Sequence, residues 1–340
     1  MQDHIRDEQY PYYWHLEDDL FGIPLPMPSI IGSVNTFLVR SSERDLLIDC
    51  GGSDERSFRV LFDALETIGV RWDKLDIFIT HFHVDHIGGL DYLWRPGMRI
   101  YAGFPEVAEQ HTDIEERIAL FRPTWEAFDK RIDSPAQETG EIELVTYKVQ
   151  KNYPIIQLHE GDVLTYGNYQ FQVLATPGHE RNELCLWDKK KSILFAGDVV
   201  IKGMYVSLHP RNFDRDEAGE YFATLDRLKE LPVNVVYSGH NNAMTPQEFR
   251  DECDRQYEHH QRRMMDAYRM VQSGHHHMMD ILYHYTYLRK RRHWEDCHDI
   301  MRWDLVVEMA GYLNHLVYEG KLVMKQEGID FYFYLNSEKE

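Results

Sequence analysis

The sequence lacks the cysteine pattern of a disulfide-stabilised or cysteine-ligated protein. Its four cysteines, at positions 50, 185, 253 and 297, are widely separated and form no CxxC pair. This scatter argues against a disulfide framework and against a cysteine zinc site, and it fits a reducing compartment. We therefore predict a cytoplasmic protein.

The sequence also lacks long apolar runs and an excess of positive charge. No stretch approaches the roughly 18 apolar residues needed to cross a bilayer, and no basic segment followed by an apolar one marks the start for secretion. The formal net charge is −20, and such a charge repels polyphosphates at long range. We expect a soluble protein without membrane contact, and we regard a nucleic-acid partner as disfavoured but not excluded.

Local patterns predict alternating strands and helices in the first part of the chain. Residues 35–49 read as two short strands joined by a polar turn. A helix should follow, capped by Ser53 and ended by Gly69. The mostly apolar run Asp76–Thr80 predicts a buried strand that leads directly to His81.

The character of the chain changes after about residue 246. Strand patterns stop, and helical periodicity continues to Gly320, before a hairpin that turns at Glu327-Gly328. We therefore predict a first domain over residues 1–245, with a helical insertion at about 112–152, and a mainly helical, winged-helix-like domain over residues 246–340.

Four potential metal ligands follow the predicted strand that ends at Thr80. They are His81, His83, Asp85 and His86. Extended backbone alternates sides, so the first two histidines can point the same way, while a turn brings the other two residues in from another angle. Imidazole and carboxylate groups suit zinc, and also iron or manganese.

Three more candidates each follow a predicted strand: His179, Asp198 and His240. Any one of these residues alone is better explained as a core histidine, a helix cap or a turn, but the ordered set points to a metal site. Seven ligands suffice for two divalent ions, which we expect to be Zn²⁺, with Fe or Mn as alternatives. One arrangement assigns His81, His83 and His179 to the first ion, Asp85, His86 and His240 to the second, and Asp198 to both, with a shared water or hydroxide between them.

This ordered set resembles the metallo-β-lactamase superfamily. THFHVDHIGG matches the HxHxDH signature, and LHEGDVLTYGNYQFQVLATPGH, FAGD and SGH match the later motifs in the expected order. The resemblance covers about residues 30–245. It implies an α/β fold, an αββα sandwich of two mixed sheets flanked by helices, with the metals at one edge and the ligand roles given above.

The sequence departs from the family pattern at two positions beside the ligands. Glu180 stands where the family usually has Ser or Thr, and Asn241 stands where Gly is common. Neither change removes a ligand, but both can reshape the surroundings of the metals. His83 occupies a position where flavodiiron oxygen reductases carry Glu, so the chain does not resemble that branch. The C-terminal extension and the GDVVIKGMYVSLHP stretch are similar to the branch that contains acyl-thioester hydrolases and a mitochondrial-type endoribonuclease.

The leading functional hypothesis is hydrolysis of an ester or thioester of the acyl-CoA or glutathione type. Asp85 would orient the nucleophile and share its proton. Tyr205 is the candidate for contacting the substrate among the polar residues of the loop after Asp198, which also include Lys202, His209 and Arg211. Trp125 and Phe128 of the insertion would help to form an apolar channel.

Two other functions stay open. One is an endoribonuclease that uses the same metals, and the other is a metal-binding regulatory protein without turnover. The basic cluster Arg289–Arg292 could meet RNA, although a solvated loop is the simpler interpretation. We interpret His259-His260 and His275–His277 as polar helix faces and not as a metal site. The sequence does not determine the oligomeric state, and a homodimer stays open.

Overall fold

The computed structural model describes residues 13–27, 32–134, 153–290 and 294–336. Its first sheet has seven strands that lie side by side in chain order. Strands β1 to β4 pair antiparallel, and β4 to β7 pair parallel. The strands are β1 Trp14–Glu17, β2 Leu20–Pro26, β3 Ser33–Val39, β4 Asp45–Ile48, β5 Leu75–Phe78, β6 Ile100–Ala102 and β7 Ile155–Gln157.

The second sheet has five strands in the spatial order β12-β11-β10-β9-β8. Only the β11–β12 pair is parallel. The strands are β8 Val163–Tyr166, β9 Tyr169–Ala175, β10 Leu184–Asp188, β11 Ile193–Phe195 and β12 Val235–Tyr237. Both sheets are therefore mixed, as the resemblance to the metallo-β-lactamase superfamily implied.

Eight α-helices lie in the described residues. They are α1 Glu55–Ile68, α2 Val84–Ile87, α3 Leu90–Leu93, α4 Val107–Arg131, α5 Glu217–Lys229, α6 Pro246–Gln272, α7 Met278–Lys290 and α8 Asp299–Tyr318. The first helix ends at Gly69, as predicted, because that residue adopts a left-handed φ of 82°. The predicted N-cap is wrong by one position, since the carboxylate of Asp54, and not Ser53, accepts a hydrogen bond from the Ser57 amide.

Three apolar clusters stack the elements in layers. One cluster packs α1, α2 and α3 against the outer face of the first sheet, with Leu61, Ile87 and Leu90 among its buried members. A second fills the space between the sheets, where Phe78 and Phe171 meet. The third covers the outer face of the second sheet with helices. This arrangement confirms the predicted αββα sandwich.

The C-terminal helices share the third cluster with the sandwich. Its buried residues run from α4 and β10 through α5 to α8 and the hairpin formed by β13 Leu322–Glu327 and β14 Asp330–Leu335. The predicted mainly helical end and closing hairpin are confirmed. The division at residue 246 stays a prediction, and the apolar packing is continuous across it.

Helix α4 contains the described part of the predicted insertion, and residues 135–152 lie outside the described ranges. Trp125 and Phe128 are only 4% and 3% exposed and belong to the core shared with the C-terminal helices. The prediction that they line an open acyl channel is therefore wrong: α4 uses its aromatic residues for packing. Among the described residues, no helix is both long and apolar enough to cross a membrane.

A buried polar network fixes α4 to the C-terminal helices. The Asp129 carboxylate accepts hydrogen bonds from the indoles of Trp125 and Trp294, both at 2.6 Å, and pairs with Arg302 at 3.2 Å. The Arg302 side chain is fully buried. A buried guanidinium without its carboxylate would carry an uncompensated charge, so this pair should matter for stability.

We predict that Asp129→Asn lowers the free energy of unfolding by about 3–5 kcal/mol, since it removes the carboxylate that lies nearest to the buried Arg302 guanidinium. Urea unfolding measures the change. The matched control is Glu126→Gln, one turn of the same helix earlier, which removes an exposed ion pair with Arg122. The control should cost no more than about 0.5 kcal/mol. Equal effects of the two substitutions would contradict this role of the network.

Candidate metal centre

The predicted ligands lie at one edge of the sandwich, either just beyond strand ends or on the short helix that follows β5. Strand β5 leads to His81, β9 to His179, β11 to Asp198 and β12 to His240. Asp85 and His86 lie on α2, a single helical turn that begins after His83. The structure thus brings all seven predicted residues together, although they are spread over roughly 160 positions of the chain.

Three histidines form a first group. His81, His83 and His179 each offer a ring nitrogen, and these nitrogens lie close enough to hold one ion. The Nε2 of His179 is 3.0 Å from the Nδ1 of His83. Tetrahedral zinc with Zn–N bonds of about 2.1 Å places its nitrogen ligands about 3.4 Å apart, so the spacing suits such an ion.

Asp85, His86 and His240 form a second group. The Nε2 of His240 is 3.3 Å from Oδ2 of Asp85, and the Nε2 of His86 is 3.8 Å from the same oxygen. Asp198 adjoins both histidines, with its Oδ2 at 3.4 Å from His86 Nε2 and 3.2 Å from His240 Nε2.

The two groups are neighbours in one space. The rings of His81 and His86 have centroids 4.0 Å apart, and these two histidines with Asp198 form a further set close enough to hold an ion. Asp198 therefore lies where one carboxylate can reach both groups, which is the position that a bridging ligand needs.

Each histidine binds a protein acceptor through the ring nitrogen that faces away from the groups. His86 donates to Asp49 at 2.7 Å, His179 to the Ser207 carbonyl at 2.8 Å and His240 to the Ser33 carbonyl at 2.8 Å. His81 contacts the Thr80 hydroxyl at 3.1 Å, and His83 contacts Glu180 at 3.1 Å. Such contacts select the tautomer in which the inward nitrogen carries a lone pair, as metal-ligating histidines require.

Several inward atoms are buried and have no hydrogen-bond partner within the described part of the chain. They are Nε2 of His81, Nε2 of His86 and Oδ1 of Asp198. Buried polar atoms are nearly always paired, because an unpaired one costs about 1–3 kcal/mol. Divalent cations in the two groups would satisfy these atoms, so the donor set fits a metal site.

The electrostatics differ between the two groups. Burial and the neighbouring histidines lower the pKa of His81 well below its usual value and that of His179 to about 3, which keeps both rings neutral. Burial also opposes a charge on His86 and His240, but Asp198 and the adjacent carboxylates outweigh it and raise both pKa values, that of His240 to about 10. A cation entering the second group would displace these protons.

Backbone geometry explains one departure from the family pattern. Asn241 has a φ of 61°, in the left-handed region that Gly adopts freely and that Asn tolerates better than most residues. Its side chain donates to the Lys202 carbonyl at 2.9 Å. The residue two positions earlier must be small, because a β-carbon on Gly239 would overlap the Asp198 carboxylate and the His86 ring.

Glu180 is the second departure, and it is nearly buried beside the first group. Besides His83, its carboxylate binds Arg117 of α4 through two hydrogen bonds, of 3.1 and 3.2 Å. Burial by itself would raise the pKa of Glu180, but Arg117 and His83 outweigh it and hold the pKa well below its usual value. The carboxylate is therefore charged.

The sequence analysis missed the acceptors around the ligands. Asp49 accepts from the amide and hydroxyl of Thr80, both at 2.8 Å, as well as from His86. Glu183 accepts from the Asp198 amide at 2.8 Å. A signal for Asp49 was present, since it directly follows strand β4 much as His81 follows β5, but no pattern marked Glu183.

The four polar residues predicted after Asp198 lie in different surroundings. Lys202 pairs with Glu248 of α6 at 2.7 Å, and Arg211 pairs with Glu116 of α4 at 2.6 Å. The ring of Tyr205 is 45% exposed and stacks on His259 of α6, with centroids 3.6 Å apart. Only His209 has a ring close to the ligands, 5.4 Å from the centroids of both His83 and His179. The substrate role of Tyr205 stays a prediction.

The other histidine runs have structural roles. His260 is fully buried and contacts the Tyr312 hydroxyl at 2.7 Å. His277 lies just before α7, and its Nε2 is 3.0 Å from Oδ1 of Asp330. The expectation that both runs are polar helix faces is therefore wrong. Within the described residues, no group close enough to hold an ion includes them. The Arg289–Arg292 cluster lies outside the residues whose side chains are described.

We predict that Asp49→Asn weakens metal binding at the second group about 10–100-fold, because an amide NH₂ must then face one of three donors. Competition with a chromogenic chelator measures the affinity. The control is Asp188→Asn, which changes a buried carboxylate on β10 that accepts hydrogen bonds from the backbone amides of Gln170 and Lys191. It should leave metal affinity unchanged. An Asp49→Asn protein that is folded and binds metal like the wild type would contradict the orienting role.

Comparisons with known proteins agree with this geometry. A model of the metallo-β-lactamase superfamily matches residues 30–240. The human and bovine proteins named acyl-coenzyme A thioesterase MBLAC2 are each 31% identical over 253 residues, covering 68% of this chain and 82% of theirs. A hydroxyacylglutathione hydrolase of Bdellovibrio bacteriovorus is 27% identical over 186 residues, covering 53% of this chain and 55% of its own.

Solved structures share the fold, including its helical end. A metallo-β-lactamase family protein from Thermus thermophilus has a TM-score of 0.74 at 20% identity, covering 94% of this chain and 99% of its own. A β-lactamase domain protein from Burkholderia ambifaria has a TM-score of 0.78 at 17% identity, covering 98% of this chain and 96% of its own. The matching family model and the 31% identical relatives show that the chain belongs to the metallo-β-lactamase superfamily and is a metal-dependent hydrolase.

Proposed function

We propose that this protein hydrolyses acyl thioesters of the acyl-CoA or glutathione type, with two divalent ions as cofactors. The observation that carries the proposal is that the two ligand groups are neighbours, with Asp198 within 3.4 Å of His86 and His240. The names of the relatives support the substrate class, since acyl-coenzyme A and hydroxyacylglutathione are both thioesters.

We assign the seven side chains to the two ions according to the groups in which they lie. His81, His83 and His179 would hold the first ion, and Asp85, His86 and His240 the second, with Asp198 shared. When bound, the ions would lower the pKa of a water molecule and polarise the substrate carbonyl. The nitrogen-rich donor set suits Zn²⁺, with Fe or Mn as alternatives.

Asp85 is the residue to which we assign a proton-sharing role in the reaction. Burial by itself would raise its pKa, but His86 and His240 outweigh it and set the pKa at about 2, so the carboxylate is charged. Hydrolysis forms a C–O bond from water to the acyl carbon and breaks the C–S bond. The proton released by the water passes to the departing sulfur, and Asp85 would orient the water and share that proton.

The endoribonuclease is the alternative that shares the metal site. The fold does not separate the two reactions, because the same pair of ions can attack carbonyl carbon or phosphorus. An RNA substrate needs cationic contacts to several phosphates, and the chain carries a net charge of −20. The complete donor set disfavours a silent regulatory protein. The cytoplasmic location and the homodimer stay predictions.

We predict that the purified protein contains about two equivalents of divalent metal and that Asp198→Ala loses most of one equivalent and all turnover while remaining folded. Elemental analysis, circular dichroism and a thioester assay test the three parts. Asp226→Ala, an exposed carboxylate on α5, is the control and should match the wild type. One equivalent in the fully loaded wild type, or an active Asp198→Ala protein with both ions, would refute the shared carboxylate.

We also predict hydrolysis of acyl-CoA or acylglutathione and little cleavage of single-stranded RNA at physiological salt. The binding constant for RNA falls as salt rises, with a log–log slope of roughly −0.7 per phosphate contact. We therefore expect an acidic protein to lose RNA binding already at low salt concentrations. The assay compares both thioesters, a lactone and an RNA side by side. RNA cleavage that disappears when Arg289, Lys290, Arg291 and Arg292 are neutralised, with thioesters untouched, would favour the nuclease.

A further inference from the structure

Glu180 connects a candidate metal ligand to a helix that lies far from it in the sequence. Its Oε1 accepts a hydrogen bond from His83 Nε2 at 3.1 Å. The same carboxylate accepts hydrogen bonds from both terminal nitrogens of Arg117 on α4. Glu180 and Arg117 are 8% and 5% exposed. A nearly buried pair of this kind holds one geometry, because each partner loses its compensation if the other moves.

The position of Glu180 alone would also allow a third ion. His83, Glu180 and His209 are close enough to hold one. The guanidinium of Arg117 occupies both carboxylate oxygens, however, and its charge would repel a cation there. In addition, His83 presents its other nitrogen to His179, so the nitrogen facing Glu180 is the one that donates. The carboxylate is therefore an acceptor for His83 and not a ligand.

We propose that Glu180 is a positioning residue for His83 and that Arg117 of α4 holds Glu180 in place. The proposal rests on the metal site of the proposed function. It explains why a carboxylate stands where a hydroxyl residue is usual: the His83 contact here is made by a side chain that also reaches α4. Binding of the first ion then depends on α4 as well as on the strand-end loops.

The contacts continue from Glu180 to α8. The Nδ1 of His209 lies 3.8 Å from Glu180 Oε1, and its Nε2 lies 3.4 Å from Asp304 on α8. His209 thus fills the space between Glu180 and the C-terminal helices. The first ligand group is supported by two helices, α4 and α8, that flank the sandwich.

The test compares Glu180→Met, Arg117→Met and the double variant. Each single change removes one half of a buried ion pair and should lower the melting temperature, whereas the double change removes both halves and should recover much of it. Metal affinity should behave differently. The first ion should bind about 10–100-fold more weakly in Glu180→Met and in the double variant, because neither offers His83 an acceptor. Arg117→Met should weaken it about 10-fold.

The control is Glu116→Gln on the same helix. It removes the ion pair between α4 and Arg211, which contacts none of the seven candidate ligands, and should leave both affinities unchanged. Zn²⁺ titration against a chromogenic chelator resolves the two ions without any substrate. A wild type that binds two ions but cleaves no thioester would refute the proposed function and leave this proposal standing.

Two results would overturn the positioning role. One is a folded Glu180→Met protein that binds both ions like the wild type. The other is a loss of affinity in Glu116→Gln as large as that in Glu180→Met, which would assign the effect to the docking of α4 in general. Recovery of stability without recovery of affinity in the double variant is the result that a merely structural pair would not produce.

Discussion

Seven side chains direct ligand atoms towards one space at the edge of the sandwich, and the contacts around the site hold them in that arrangement. Buried donors and acceptors are normally paired with each other, but Nε2 of His81 and His86 and Oδ1 of Asp198 have no hydrogen-bond partner among the described residues. Divalent cations would satisfy such a set. The outward nitrogens are all bound to protein acceptors, so the rings cannot turn away and each lone pair stays directed inward.

The two-sheet sandwich supplies the positions that this arrangement requires. Strands β5, β9, β11 and β12 end at the same edge, so ligands far apart in sequence meet without long side chains. The close approach of the loops requires unusual backbone conformations. Asp49 and Asn241 both adopt left-handed φ values, 59° and 61°, and each lies next to a ligand contact.

The helices outside the sandwich are joined to it by both apolar and polar contacts. A single apolar cluster runs from α4 and the second sheet into the C-terminal helices, and Asp129 with Arg302 locks α4 to α8. The same helices reach the loops around the site: α4 through Arg117 and Glu116, and α8 through Asp304. The C-terminal part of the chain therefore contacts the loops beside the candidate ligands as well as covering the sheet.

The sequence by itself determined the features that depend on local order. A run of histidines and aspartates after an apolar strand, and single ligands after three later strands, are local patterns, so the seven candidates, the mixed α/β fold and the helical end with its hairpin could all be predicted. Tertiary structure alone decided which residues support the ligands. Asp49, Glu183 and Arg117 act through contacts across 15 to 63 positions of the chain, and no local periodicity records such pairings. It also decided that Trp125 and Phe128 lie in the core. The helical spacing of apolar residues in the sequence is the same whether their side chains face a channel or a neighbouring helix.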